Sequence, residues 1–122
     1  MGINSYKDLR VWQRAMDLAV RCYGITGSFP KDETYGLTSQ IRRASTSIPA
    51  NIAEGHGREH TGSFIQFSRI AQGSLKELET HLILAVRLGY LDEDKIRDVM
   101  SEIDELGKMI RSMIRRLQEK AQ

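Results

Sequence analysis

The sequence predicts an all-α fold, an antiparallel up-down-up-down four-helix bundle, and three observations predict it. Apolar residues recur at spacings of three and four in four separate stretches. No stretch alternates apolar and polar residues with the period of a strand. The breaks between the stretches are short and rich in glycine, proline or acidic residues, which favours antiparallel neighbours. At 122 residues the chain fits a single domain, residues 1–122, long enough to bury a substantial core.

The first helix is expected from about Ser5 or Asp8 to Ile25. Leu9, Trp12, Ala15, Ala19 and Cys22 form one stripe, and Val11, Leu18 and Ile25 flank it. Trp12 on that stripe is assigned to the core rather than to stacking on a base. Gly24, Gly27 and Pro30 stop the helix. The second starts near Glu33 or Thr34 and carries Leu37, Ile41, Ala44, Ile48 and Ile52. Pro49 removes one hydrogen bond inside it, yet the apolar spacing continues, so a kinked but continuous helix is predicted. Gly55 and Gly57 are expected to end it.

The third helix spans roughly 62–89, with Phe64, Phe67, Ala71, Ser74, Leu78, Leu82, Ala85 and Leu88 in register. Gly89 is a natural stop and Asp92 a natural N-cap for the fourth helix. There Ile96, Val99, Ile103, Leu106, Ile110, Met113 and Leu117 alternate without a break. Its acidic start (Asp92, Glu93, Asp94) and basic finish (Arg111, Arg115, Arg116) complement the helix dipole. Gly73 and Gly107 fall in mid-helix, where close approach of another helix would offset their low helix propensity. Further apolar residues lie on other faces: Ile65, Ile83, Leu84 and Val86 on the third helix, Met100 and Ile114 on the fourth. One core cannot hide them all, so a homo-oligomer is expected, broken by Asp at Ile83 or Ile114.

Beside the apolar stripe of the second helix runs a polar row: Gln40, Arg43, Ser47 and Asn51, continued by Glu54. Surface helices do better with Lys and Glu, so this row implies contact with something. One reading is a hydrogen-bonded network between helices or subunits, with Glu77 or Glu79 pairing Arg43. The other is a ligand pocket with Arg43 and Glu54 as its charged ends. The structural reading is the simpler, because an enclosed arginine without a partner would cost several kcal/mol.

Net charge is +2, too small by itself to argue for nucleic-acid binding. Its distribution is uneven, with −6 over residues 77–107 and +4 over residues 108–122. The candidate phosphate-binding residues are Arg42, Arg58, Lys108, Arg111, Arg115 and Arg116. Helices two and four run the same way in the predicted bundle, so Arg58, Arg115 and Arg116 share one end. The competing reading is dipole complementation and solvation.

Other chemistries find little support. Cys22 is the single cysteine and lies on an apolar stripe, which suits a reducing cytoplasm and an inert thiol. His56 and His60 flank Glu59 in a glycine-rich turn without the pattern of a metal helix, so no metal is expected. His81 is read as structural or surface. No serine has a nearby His–Asp arrangement and no phosphate-binding loop occurs, so no catalytic residue and no cofactor are assigned. The start MGINSY misses a myristoylation signal at Tyr6, and no apolar run suits a membrane span. A cytoplasmic protein without a membrane partner is expected.

The chain resembles the four-helix-bundle family of large-subunit rRNA intervening-sequence proteins, and a relative of that family, the accessory variability protein of diversity-generating retroelements. The resemblance rests on DLRVWQRAMDLA in the first helix, FPKDETYGLTSQIRRASTSIPANIAEGHGR through the second and FIQFSRIAQGSLKELETHL in the third. It covers nearly the whole chain. It implies a ring-shaped homopentamer without enzymatic activity. For the retroelement relative it implies binding to nucleic acid and to a reverse transcriptase through positive surface. The expected function is a non-catalytic scaffold that binds structured RNA, an RNA–protein complex or DNA, with a nucleic-acid-processing protein as a further partner. The alternative is a protein–protein adaptor ring, for which the acidic stretch speaks because it repels phosphate.

Overall fold

The computed structural model describes residues 5–121, so the Gly2 start considered above lies outside the described residues. Four helices follow in order: α1 (Arg10–Thr26), α2 (Leu37–Gly57), α3 (Thr61–Arg87) and α4 (Glu93–Ala121). The described residues contain no strand. Each helix packs on its neighbours in chain order, and α4 closes the bundle on α1.

Contacts between side chains fix the directions. Ser47 meets Ser74 while Gly55 lies against Phe67, so α2 and α3 run in opposite directions. Arg14 pairs with Glu105 and Arg21 with Glu102, which makes α4 antiparallel to α1. The starts of α1 and α3 therefore share one end of the bundle with the finishes of α2 and α4.

Sequence-level caps explain most boundaries. The Ser5 hydroxyl accepts from the Lys7 N–H and caps a 3-10 turn over Tyr6–Asp8, which keeps these residues out of α1. Helix α1 consequently begins at Arg10, after an extended Leu9. Glu33 and Thr34 also stay outside α2. Lys31–Glu33 forms a second 3-10 turn, from which Glu33 Oε1 accepts the Leu37 N–H at 3.0 Å. Its other oxygen accepts the Tyr90 hydroxyl at 2.9 Å, tying the α1–α2 connection to the α3–α4 connection. Those bonds, the Leu37 N–H first and Tyr90 second, hold the Glu33 carboxyl below its ordinary pKa. A Cβ at Gly36 would stand 2.5 Å from Glu33 Oε1, so a side chain there would push the Glu33 carboxylate out of its present position.

His60 is the N-cap of α3, its Nδ1 accepting from the Ser63 N–H at 3.2 Å. Glu59, in the three-residue turn before α3, adopts a left-handed φ of 55°. At the far end Gly89 takes φ 82°. There the Tyr90 N–H bonds the Ala85 carbonyl and the Gly89 N–H bonds that of Val86, the pattern that closes many helices. Asp92 caps α4 through the Lys95 N–H at 2.8 Å.

The core is continuous along the bundle axis, with Leu18, Ile41, Ile48, Ile52, Leu78, Leu82, Leu106 and Ile110 almost fully enclosed. Each such side chain contributes about 1.5–3 kcal/mol on burial. Helix α2 runs unbroken past Pro49, which is itself buried. Trp12 is half-buried against the core, with the Tyr6 ring edge-on at 5.2 Å. Ile114 belongs to this core at 7% exposure, and Ile65, Val86 and Met100 are half-buried against it. Of the apolar residues expected to be surplus, Ile83 and Leu84 remain, 46% and 43% exposed. An Asp at Ile114 would therefore unfold the bundle rather than report on assembly.

Ser68 is fully buried and its hydroxyl has no hydrogen-bond partner among the described residues. Removing an unsatisfied buried hydroxyl relieves a desolvation cost of about 1 kcal/mol or more. Ser68→Ala is expected to raise the Tm by a few degrees in a thermal melt, and a lowered Tm would show that the hydroxyl has a partner in solution.

Candidate functional site

The polar row of α2 divides into two parts. Ser47 Oγ and Ser74 Oγ share a hydrogen bond of 2.6 Å across the α2–α3 contact. Asn51 Nδ2 donates to the Ser47 carbonyl at 2.8 Å and to its hydroxyl at 3.2 Å. This part is a small network that ties α2 to α3. Towards the start of α2, Gln40, Arg43 and Ser47 face Glu77 and His81 across an open hollow of about 460 Å³. Arg43 and Glu77 are exposed, and among the described residues neither makes a salt bridge. Glu79 is engaged by Lys76 at 3.1 Å. Glu54 does not join the row; it holds Arg58 one turn later at 2.9 Å.

The basic candidates also separate. Arg42 is half-buried and bound into the fold, its Nε donating to Thr26 Oγ1 at 2.9 Å and its guanidinium lying 4.5 Å from the centre of the Tyr23 ring. It sits near the start of α2, at the opposite end from Arg58, Arg115 and Arg116. Arg58 is paired with Glu54 and lies 5.1 Å from the centre of the Phe67 ring. Lys108 makes an exposed pair with Asp104 at 3.3 Å. Arg111, Arg115 and Arg116 are exposed and make no salt bridge among the described residues.

Sequence reasoning missed Arg10. The antiparallel packing of α1 on α4 brings it beside Lys108 and Arg116, around a hollow of about 540 Å³. The floor of that hollow is apolar, made by Leu9, Val11, Met109 and Met113. Nothing local in the sequence marks Arg10, because its neighbours lie almost a hundred residues away. The bundle is thus electrically lopsided. The second half of α4 and the start of α1 are cationic, whereas Asp92, Glu93, Asp94 and Asp98 crowd the opposite end.

Gly73 is exposed, and a Cβ there would meet nothing within 4 Å, so no helix of the same chain approaches it. Gly55 is the glycine under close approach. A Cβ on Gly55 would lie 2.8 Å from the Phe67 Cβ and 3.2 Å from the Phe64 ring. This glycine lies inside α2 and is buried there, so it serves helix packing rather than helix termination.

Two of the three histidines take part in packing or capping. The His56 ring packs edge-on against Phe64 at 5.7 Å, and His60 caps α3. Among the described residues no group of three His, Cys, Asp or Glu is placed to hold a metal ion. No helix among them is long and apolar enough to cross a membrane. Cys22 is enclosed, and burial, followed by the nearby Glu102 charge, pushes its thiol up to about 12. Iodoacetamide at pH 8 is therefore expected to leave the folded protein unmodified and to alkylate it only in denaturant, as read by mass spectrometry. Between about pH 9 and 12 the unfolded chain loses this proton and the folded chain keeps it. Stability falls as pH rises through that window.

The sequence pattern of the 23S rRNA-intervening sequence protein family matches residues 7–112, which takes in α1, α2, α3 and most of α4. The chain belongs to that family. The crystal structure of a protein of unknown function from the S23 ribosomal protein family of Bacteroides thetaiotaomicron is similar, with a TM-score of 0.76 and 27% identity. The match covers 85% of this chain and 97% of that one. No curated protein matches. Membership in this family is consistent with the four-helix architecture, while the chemistry of the surface follows from the residues themselves.

Proposed function

We propose that this member of the 23S rRNA-intervening sequence protein family is a non-catalytic scaffold that assembles into a ring-shaped homopentamer and binds nucleic acid through cationic surface repeated by symmetry. The observation that carries the binding half of the reading is the group of cations along the second half of α4. Arg111, Arg115 and Arg116 have no ion-pair partner among the described residues, and Arg10 joins them from α1. One copy presents few charges, but a ring multiplies them. Each phosphate neutralised adds about −0.9 to the logarithmic salt slope on duplex DNA.

Assembly is supported by two exposed apolar stripes that flank α2. Met16, Val20 and Tyr23 are 39%, 71% and 45% exposed and recur at helical spacing on α1. The Tyr23 ring lies against Arg42, which places this stripe beside α2. On α3, Ile70, Leu84 and Leu88 are 45%, 43% and 49% exposed and fall on one face, with Gly73 among them. Glycine in mid-helix costs about 1 kcal/mol relative to alanine, and the close approach of a neighbouring chain accounts for it there. Arg43 and Glu77 lie between the stripes and find their partners in the neighbouring copy. A five-fold ring needs two different contact faces. The groove of Ile83, Val86, Ile96 and Met100 between α3 and α4 supplies the second.

Fluorescence anisotropy with labelled structured RNA and duplex DNA at two salt concentrations tests the binding. Micromolar affinity that falls steeply with salt is expected, with at least ten-fold loss in Arg115→Glu/Arg116→Glu. Absence of binding at low salt would contradict the reading. The acidic end, which repels phosphate, favours one other reading, a protein–protein adaptor ring without physiological nucleic-acid binding. A partner still recovered by pull-down after nuclease treatment would support it.

A further inference from the structure

We infer that the hollow between the start of α1 and the second half of α4 is a docking site for an acidic peptide segment of a partner protein that carries a large apolar side chain. The site does not depend on the nucleic-acid reading. Its volume of about 540 Å³ falls within the range of pockets that enclose part of a ligand. Val11 and Met113 are buried in its floor, at 5% and 7% exposure, and Leu9 and Met109 complete an apolar surface. Thioether side chains adapt to different apolar shapes, so this floor accepts leucine, methionine or phenylalanine.

The surroundings select the charge of the guest. Arg10, Lys108 and Arg116 stand around the floor against a single carboxylate, Asp8. Lys108 is shared with Asp104 in an exposed pair, which leaves the two arginines without ion-pair partners among the described residues. Guanidinium groups hold carboxylates through paired N–H donors, so carboxylates beside the apolar side chain complete both halves of the site. A nucleobase fits it poorly. Among the described residues no aromatic ring lines the hollow for stacking, and Ser112 is the one uncharged polar side chain there to read a base edge.

The test uses the full chain and a fluorescein-labelled peptide of sequence Asp-Asp-Leu-Phe-Asp-Asp, followed by anisotropy at low salt. Saturable binding is expected, at least ten-fold weaker for Asp-Asp-Ala-Ala-Asp-Asp and weakened again by added salt. Ser112→Trp places an indole over the floor from an exposed position and is expected to reduce binding at least ten-fold. Arg116→Glu, also exposed, is expected to do the same, and thermal melts confirm that each variant is folded. RNA binding should survive Ser112→Trp, so failure of this site is distinguishable from failure of the nucleic-acid reading. Equal affinity for the two peptides, no saturable binding at millimolar peptide, or binding indifferent to both substitutions would overturn the proposal.

Discussion

Gly55→Ala is expected to destabilise the bundle by about 1–3 kcal/mol, despite replacing a glycine by the best helix former. In an exposed helix the same change would add about 1 kcal/mol of stability. At Gly55 the new methyl would stand 2.8 Å from the Phe67 Cβ and 3.3 Å from the Phe64 Cα. These atoms are the root of a side chain and the backbone, so no rotamer change relieves the contact. The α2–α3 hairpin has to open by several tenths of an ångström, and the Ser47–Ser74 hydrogen bond along the same contact weakens with it. Denaturant melts would show a lower midpoint with an unchanged slope. A raised midpoint would mean that the hairpin is loose enough to admit the methyl.

Gly73→Leu and Leu84→Asp are expected to separate folding from assembly. A Cβ on the exposed Gly73 would meet nothing within 4 Å, and Leu84 is 43% exposed, so neither change disturbs the core of one chain. Leucine favours helix over glycine by most of a kcal/mol, and the isolated bundle should gain from it. If the α3 stripe lies under a neighbouring copy, the leucine pushes that neighbour away and the aspartate buries a charge without a partner, at a cost of several kcal/mol. Both variants should remain helical by circular dichroism and sediment as smaller species. Assembly unaffected by either would place the contact elsewhere.

Much of the fold is legible in the sequence because its signals are redundant. In α4 the apolar spacing, the Asp92 cap and the charge gradient all point to one helix, and its start agrees. The sequence places the starts of α1 and α2 too early because an acidic residue looks alike as a first-turn residue and as a remote cap. Glu33 reaches forward from its own 3-10 turn to Leu37, and no local pattern announces that. Gly55 and Gly73 show the same ambiguity. A glycine that ends a helix, one that admits a neighbour in the same chain and one open to solvent are identical letters, and only packing separates them. The surface is less legible still. Arg42 and Arg58 read as free cations, but Thr26, Tyr23, Glu54 and Phe67 engage them from other turns and helices. Arg10 escapes notice in the sequence because its companions come from the far end of the chain. Family membership narrows the architecture and does not by itself give the charge arrangement.

Light scattering on the native protein coupled to size exclusion is the most direct test of the central claim, that copies of this bundle assemble side by side and multiply weak cationic surface. The expected mass is about five times the 13.9 kDa of one chain, retained at micromolar concentration. A mass equal to a single chain, with Val20, Leu84 and Leu88 open to water, would contradict it.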